Sequence, residues 1–190
     1  MAGMDWKVGL IDLLKRESLR TGTFTLASGR SSHYYVDGRK VTLSADGAVL
    51  IGSGVLAHLL DLPQVNAIGG LTMGADPIVG ATLPLAFLAN RRDLKGFLVR
   101  KEAKGHGTGR LVEGPIEPGM NVVIVDDVAT TGGSSLQAVD AVQAMGCTVV
   151  RVIAVLDRLE GAAEAFAARG LDFKALVTIR DLGVEPLPPL

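Results

Sequence analysis

Short apolar runs alternate along this chain with longer stretches of helical spacing. Val122-Val123-Ile124-Val125 is a run of four β-formers, the pattern of a strand covered on both faces. Beyond it, Leu136, Val139, Val142 and Met145 keep helical spacing, and Gly146 suits the position just past a helix end. The same reading predicts a helix over about 5–17, with Val8, Leu10, Ile11, Leu13 and Leu14 on its apolar side. Extended pieces follow at 21–26 and 33–36, then a helix capped by Ser44 and running to about 60. A strand over 67–70 leads to a helix opening at Asp76-Pro77, and another strand covers 96–99. The C-terminal part gives a strand over 148–156, an Ala-rich helix over 161–169 and a last strand over 173–179. Strands alternating with helices at this spacing predict an α/β fold with a central parallel sheet and right-handed crossovers.

Composition narrows this. At 190 residues the chain is long enough for one domain with a substantial core. Hydrophobic residues make up 48% but aromatics only 4%, so aliphatic side chains fill the interior. A net charge of −1 gives no general reason to bind nucleic acid or an anionic membrane. The single cysteine, Cys147, excludes an internal disulfide, and no stretch has the length of a membrane span or the pattern of a signal peptide. The cytoplasm is the expected location.

The chemistry gathers after the four-residue apolar run. Asp126 and Asp127 are expected where that strand ends, followed by Val128-Ala129-Thr130-Thr131-Gly132-Gly133-Ser134 and a helix. Backbone N–H groups at such a helix start attract a phosphate, and the two glycines let the main chain approach it. The carboxylates would repel a bare phosphate, so they suit sugar hydroxyls or a Mg²⁺ ion on the same ligand. The loop lacks the endings of a nucleotide P-loop and of a dinucleotide fold. The plain alternative is an ordinary strand-to-helix turn capped by Ser134. Residues 100–114 form a second candidate: Lys101, Lys104, His106 and Arg110 interspersed with Gly105, Gly107 and Gly109, the composition of a mobile cationic lid or of a solvated connector. His33 and His58 read as structural, since no cluster of metal ligands surrounds either.

Residues 126–134 resemble the phosphoribosyl-pyrophosphate (PRPP) motif of type I phosphoribosyltransferases. Phe24–Tyr35, Arg100–Gly107 and Asp157-Arg158 extend the resemblance, in order, to the orotate-specific branch of that superfamily. The resemblance implies the type I phosphoribosyltransferase fold: one domain over 1–190, with a hood from about 1–40 and 158–190 and a lid over about 100–114. It implies transfer of phosphoribosyl from PRPP to orotate in pyrimidine biosynthesis, with Mg²⁺ held mainly by PRPP, pyrophosphate and water. The PRPP contacts it implies are Arg100, Lys101, Lys104, His106 and residues 126–134: Asp126, Asp127, Val128, Ala129, Thr130, Thr131, Gly132, Gly133 and Ser134. Lys101, Lys104, His106 and Asp127 carry the catalysis, and Tyr34, Tyr35, Thr130 and Arg158 border orotate. It also implies a homodimer in which each lid closes over the neighbouring subunit's site.

Residues 69–77 look like the family's pyrophosphate loop, yet many relatives carry a lysine there, where this chain has Gly74; Ala27 also replaces a lysine of some relatives. The plainer readings are that Tyr34 or Tyr35 packs within the hood and that Arg158 pairs with Glu160. At the level of function, a phosphoribosyltransferase for another base and a non-catalytic PRPP sensor of transcription are the alternatives. The sensor would need a nucleic-acid surface, and neither a basic face nor a helix-turn-helix is visible.

Overall fold

The computed structural model describes residues 5–25, 29, 31–102 and 111–188. The expected α/β architecture is present. The main sheet has the order β5-β4-β3-β6-β7-β8, formed by β3 (Ala67–Leu71), β4 (Lys95–Val99), β5 (Val112–Glu113), β6 (Asn121–Ala129), β7 (Thr148–Asp157) and β8 (Phe173–Thr178). Every pairing is parallel except that of β4 with β5. Alternation along β6 shows how both faces are buried. Val123 and Val125 pack into a core with Val55 of α3 (Ala45–Ala57) and Ile78 of α4 (Ala75–Leu88). Val122 and Ile124 face the other way, toward Ala138, Val139 and Val142 of α5 (Gly133–Ala144) and Phe166 of α6 (Ala162–Ala168).

The order of strands creates the crevice. From β3 the chain steps outward to β4 and β5, then returns to place β6 on the opposite flank of β3. Pairing between β3 and β6 stops at Gly69 opposite Ile124, although β3 continues to Leu71 and β6 to Ala129. The strand ends therefore part at the topological switch point, where ligands bind in open parallel sheets. An antiparallel hairpin, β1 (Leu19–Thr25) and β2 (Ser31–Val36), forms its own two-stranded sheet, with Tyr34 and Val36 packed into the core beside Val123 and Val125.

At the far end of β7, buried Arg151 ties elements together: it donates two hydrogen bonds to Asp61 (2.9 and 3.0 Å), one to Asp172 (2.6 Å) and one to the His58 carbonyl (2.6 Å). Caps explain several boundaries. Asp5 accepts from the Lys7 N–H (2.9 Å) before α1 (Trp6–Leu13), and Ser44 accepts from Gly47 (3.1 Å) before α3. Past α5, the Gly146 N–H reaches the Gln143 carbonyl and the Cys147 N–H the Val142 carbonyl, the paired bonds that close a helix end.

Some boundaries differ from the sequence reading. The first helix is α-helical only to Leu13 and finishes in a π-helical turn, Leu14–Ser18. α3 stops at Ala57, so His58 caps it rather than lying inside. A short helix α2 (Arg39–Thr42) and the two-residue β5 were not anticipated, being too short to show a period. The largest correction concerns β6, which runs through both carboxylates to Ala129. Pairing with β7, including Asp126 opposite Ala154 and Ala129 opposite Asp157, overrides the poor strand preference of aspartate. No helix among the described residues is long and apolar enough to cross a membrane.

Candidate active site

Because Asp126 and Asp127 are consecutive in a strand, they face opposite sides. Asp126 shares the face of α5 and is nearly buried. Its Oδ2 accepts from the hydroxyls of Ser134 and Ser135 (both 2.7 Å), and its Oδ1 accepts from the Asp127 N–H (3.0 Å). This carboxylate thus anchors the first turn of α5. Ser134 does not cap the helix; its hydroxyl goes to Asp126 instead. Asp127 faces the cleft. Its Oδ1 accepts from the Val128 N–H (2.9 Å), and its Oδ2 has no hydrogen-bond partner among the described residues. Burial, and then the charge of Asp126, hold the Asp127 carboxyl above its ordinary range.

The loop Thr130-Thr131-Gly132 delivers the start of α5 to the mouth of the sheet. Gly132 occupies the N-cap position with φ +81°, and no side chain caps the helix, so the first-turn N–H groups remain donors for an anion. A Cβ on Gly132 would lie 2.9 Å from the Phe166 ring. Gly132→Ala is therefore expected to destabilise the fold by at least ~1–2 kcal/mol through the left-handed backbone alone. A lower denaturant midpoint at unchanged slope is the measurement; an unchanged midpoint would refute it.

These pieces enclose a cleft of about 330 Å³. Its walls are Asp126, Asp127, Val128 and Ser134, then Leu71–Gly74, then Tyr35–Arg39; Lys101 also lines it. The Leu71–Gly74 wall comes very close: a Cβ at Gly74 would stand 2.9 Å from both Asp126 Oδ1 and Asp127 Oδ1. The Lys101 carbonyl accepts from the Gln137 side chain (3.0 Å), which ties the residues after β4 to α5.

Beside the cleft lies a buried polar cluster. Tyr35 lines the cleft, whereas Tyr34, on the opposite face of β2, is fully buried. The Tyr34 hydroxyl donates to Glu160 Oε1 (2.7 Å), and Arg158 Nε donates to that oxygen (3.0 Å) and to the Tyr34 oxygen (3.2 Å). The Arg158 guanidinium also stands 4.9 Å over the Tyr34 ring. Burial first, and the Glu160 bond next, push the Tyr34 hydroxyl up to about 12, so it stays a donor through the neutral range. The Arg158 main-chain N–H binds the Ala129 carbonyl (2.9 Å), which places this cluster one strand away from the loop Thr130-Thr131-Gly132.

The structure thus brings Tyr35, Lys101, Asp126, Asp127, Val128 and Ser134 to one cleft. Tyr34 and Arg158 do not line it; the pairing of Arg158 with Glu160 and the packing of Tyr34, both weighed from sequence, are what the geometry shows. Arg100 turns aside and pairs with Glu113 (3.1 Å). Lys104, His106 and Ala27 lie outside the described residues. Sequence reasoning missed the Asp37-Gly38-Arg39 wall, for which the turn-prone Asp-Gly pair was the available signal.

A cleft at the switch point of a parallel sheet, with a strand bearing two carboxylates that feeds a short glycine loop and an uncapped helix start, is the setting of a phosphoribosyltransferase domain. Accordingly, residues 69–171 match the phosphoribosyl transferase domain family. The chain belongs to the orotate phosphoribosyltransferases. It is 53% identical to the orotate phosphoribosyltransferase of Rhodopirellula baltica, over 93% of this chain and 94% of that protein. It is 47% identical to that of Thermosynechococcus vestitus, over 94% and 93%. Among solved structures, the Mycobacterium tuberculosis H37Rv orotate phosphoribosyltransferase in complex with PRPP superposes with a TM-score of 0.79 at 39% identity, covering 95% of this chain and all of that one.

Proposed function

We propose that this enzyme transfers the 5-phosphoribosyl group of PRPP to orotate, giving orotidine 5′-monophosphate and pyrophosphate in pyrimidine synthesis, in the cytoplasm. The observation that carries the reading is the division of labour on β6. One carboxylate, Asp126, is consumed in holding the phosphate loop, while its neighbour Asp127 keeps an oxygen for the ligand.

In the reaction the C1–oxygen bond to pyrophosphate breaks and the bond from C1 to the orotate ring nitrogen forms. The ribose passes through a cation-like state, as in glycoside cleavage. The first-turn N–H groups of α5, with Thr130, Thr131, Gly132 and Gly133, hold the 5′-phosphate. Asp127 accepts from ribose hydroxyls, and its negative charge favours positive charge on the sugar. Lys101, with Lys104 and His106 of the lid, stabilises charge on the departing pyrophosphate, and closure keeps water from C1. The orotate nitrogen attacks already deprotonated, so no side-chain base is needed. Tyr35 borders the base, and Arg158 supplies donors for its carboxylate.

The donor set fits a Mg²⁺ ion that arrives with its ligand. Both oxygens of Asp126 and one of Asp127 already accept hydrogen bonds from the protein. Asp127 Oδ2 is the oxygen left to face such an ion. When bound, Mg²⁺ neutralises phosphate charge and orients the pyrophosphate. Loss of orotate absorbance in the presence of PRPP is expected in Mg²⁺ and is expected to stop on adding EDTA and resume on adding Mg²⁺ in excess. Turnover unaffected by chelation would remove the metal from the reading, and no turnover in Mg²⁺ would remove the reaction.

A further inference from the structure

We propose that Glu160 is a positioning residue for the acceptor base: its carboxylate locks the Arg158 guanidinium and the Tyr34 hydroxyl in one arrangement, so that Arg158 presents its remaining donors to the orotate carboxylate. This rests on the orotate reading above. It extends that reading to a residue that lines no wall of the cleft.

Three observations carry it. Glu160 is only 1% exposed, a setting in which a carboxylate is costly unless it is paired and hydrogen-bonded. Its Oε1 gathers two donors from distant parts of the chain, Tyr34 on the hairpin and Arg158 beyond β7. Arg158 is therefore held at its Nε by Glu160 and across its face by the Tyr34 ring. Its orientation is set before any ligand arrives.

The third observation points to a ligand. Arg158 Nη2 is buried, lies 2.9 Å from Glu160 Oε1 for ion pairing, and yet makes no hydrogen bond among the described residues. A purely structural ion pair would be expected to satisfy its buried donors, because a buried N–H without an acceptor costs free energy. An anchored guanidinium with a donor to spare is organised for a planar, bidentate partner such as a carboxylate. The Arg158 main chain is bonded to Ala129, so what Glu160 orients sits next to the loop that holds the sugar phosphate.

The test is steady-state kinetics with orotate and PRPP varied separately and uracil as an acceptor lacking the carboxylate. Glu160→Ala is expected to raise KM for orotate about tenfold or more, the loss of one charged hydrogen-bond partner, while KM for PRPP changes less than about twofold. The preference for orotate over uracil should fall by a similar factor. Glu160→Gln keeps an acceptor oxygen for both donors and should recover most of the loss. If Glu160→Ala does not fold, Tyr34→Phe carries the same test, with a few-fold rise confined to orotate. Unchanged KM for orotate in the folded variants, or equal changes for orotate and PRPP, would overturn the proposal. Arg158→Gln serves as the reference. If it raises KM for orotate and the Glu160 and Tyr34 variants do not, only the positioning role fails. If it too leaves orotate untouched, the carboxylate contact itself is wrong.

Discussion

Replacing Asp127 by asparagine should yield an enzyme that is at once far slower and harder to unfold. Activity should fall about 10²-fold or more, the usual cost of losing one preorganised charge facing the reacting centre. Stability should move the other way. Burial and the neighbouring Asp126 raise the folded-state pKa of Asp127 above its ordinary 3.8. A group raised in this way adds stability below the unfolded pKa and loses that contribution as pH climbs through the folded value. At neutral pH the ionised side chain is therefore a net strain on the ligand-free fold. Asparagine keeps the acceptor for the Val128 N–H and removes the charge, so the melting temperature at pH 7 should rise. The advantage over the parent should shrink as pH is lowered toward 4. Calorimetric melts of both proteins across that range decide the matter; a variant less stable at pH 7 would show that the carboxylate is stabilising where it stands.

Lys104→Ala should lower turnover by a comparable factor, about 10²-fold, because it removes a cation from the leaving pyrophosphate. KM for orotate should change far less. If the lid closes over the neighbouring subunit, this inactive protein and inactive Asp127→Asn complement each other. In a mixed dimer the first chain keeps an intact phosphate cleft, and the second supplies an intact lid to it. With random exchange in a twofold dimer, about a quarter of the sites would be whole. Activity rising to that level, with exchange confirmed by mass, is the expected result. Continued inactivity after proven exchange would mean that each chain closes its own lid.

Most of the architecture was legible because its signals are local and repeated. The apolar run at 122–125 and the helical spacing of Leu136, Val139 and Val142 define strand and helix without reference to partners. What the sequence hid was determined by neighbours far along the chain. β6 extends through Asp126 and Asp127 because β7 pairs with it there, and no propensity at those residues announces this. Two adjacent aspartates read as one acidic patch, whereas strand alternation gives them separate tasks. Tyr34 and Tyr35 divide in the same way, one into the protein and one into the cleft. Glu160 was legible only as a neighbour of Arg158; its second partner stands 126 positions away.

The two halves of the site rest on supports of unequal strength. Asp126 and Asp127 belong to β6, which is paired with β3 as far as Ile124 and with β7 through the aspartates to Ala129, inside a six-stranded sheet. Tyr35 belongs to a two-stranded ribbon, a unit of marginal stability by itself. That ribbon is held to the domain by Tyr34 and Val36, which are buried in the same core as Val123 and Val125, and by the Tyr34–Glu160 hydrogen bond. The hydrogen bond from Tyr34 to Glu160 thus ties the less supported wall of the cleft to the segment after β7, and losing it should loosen the ribbon before it loosens β6.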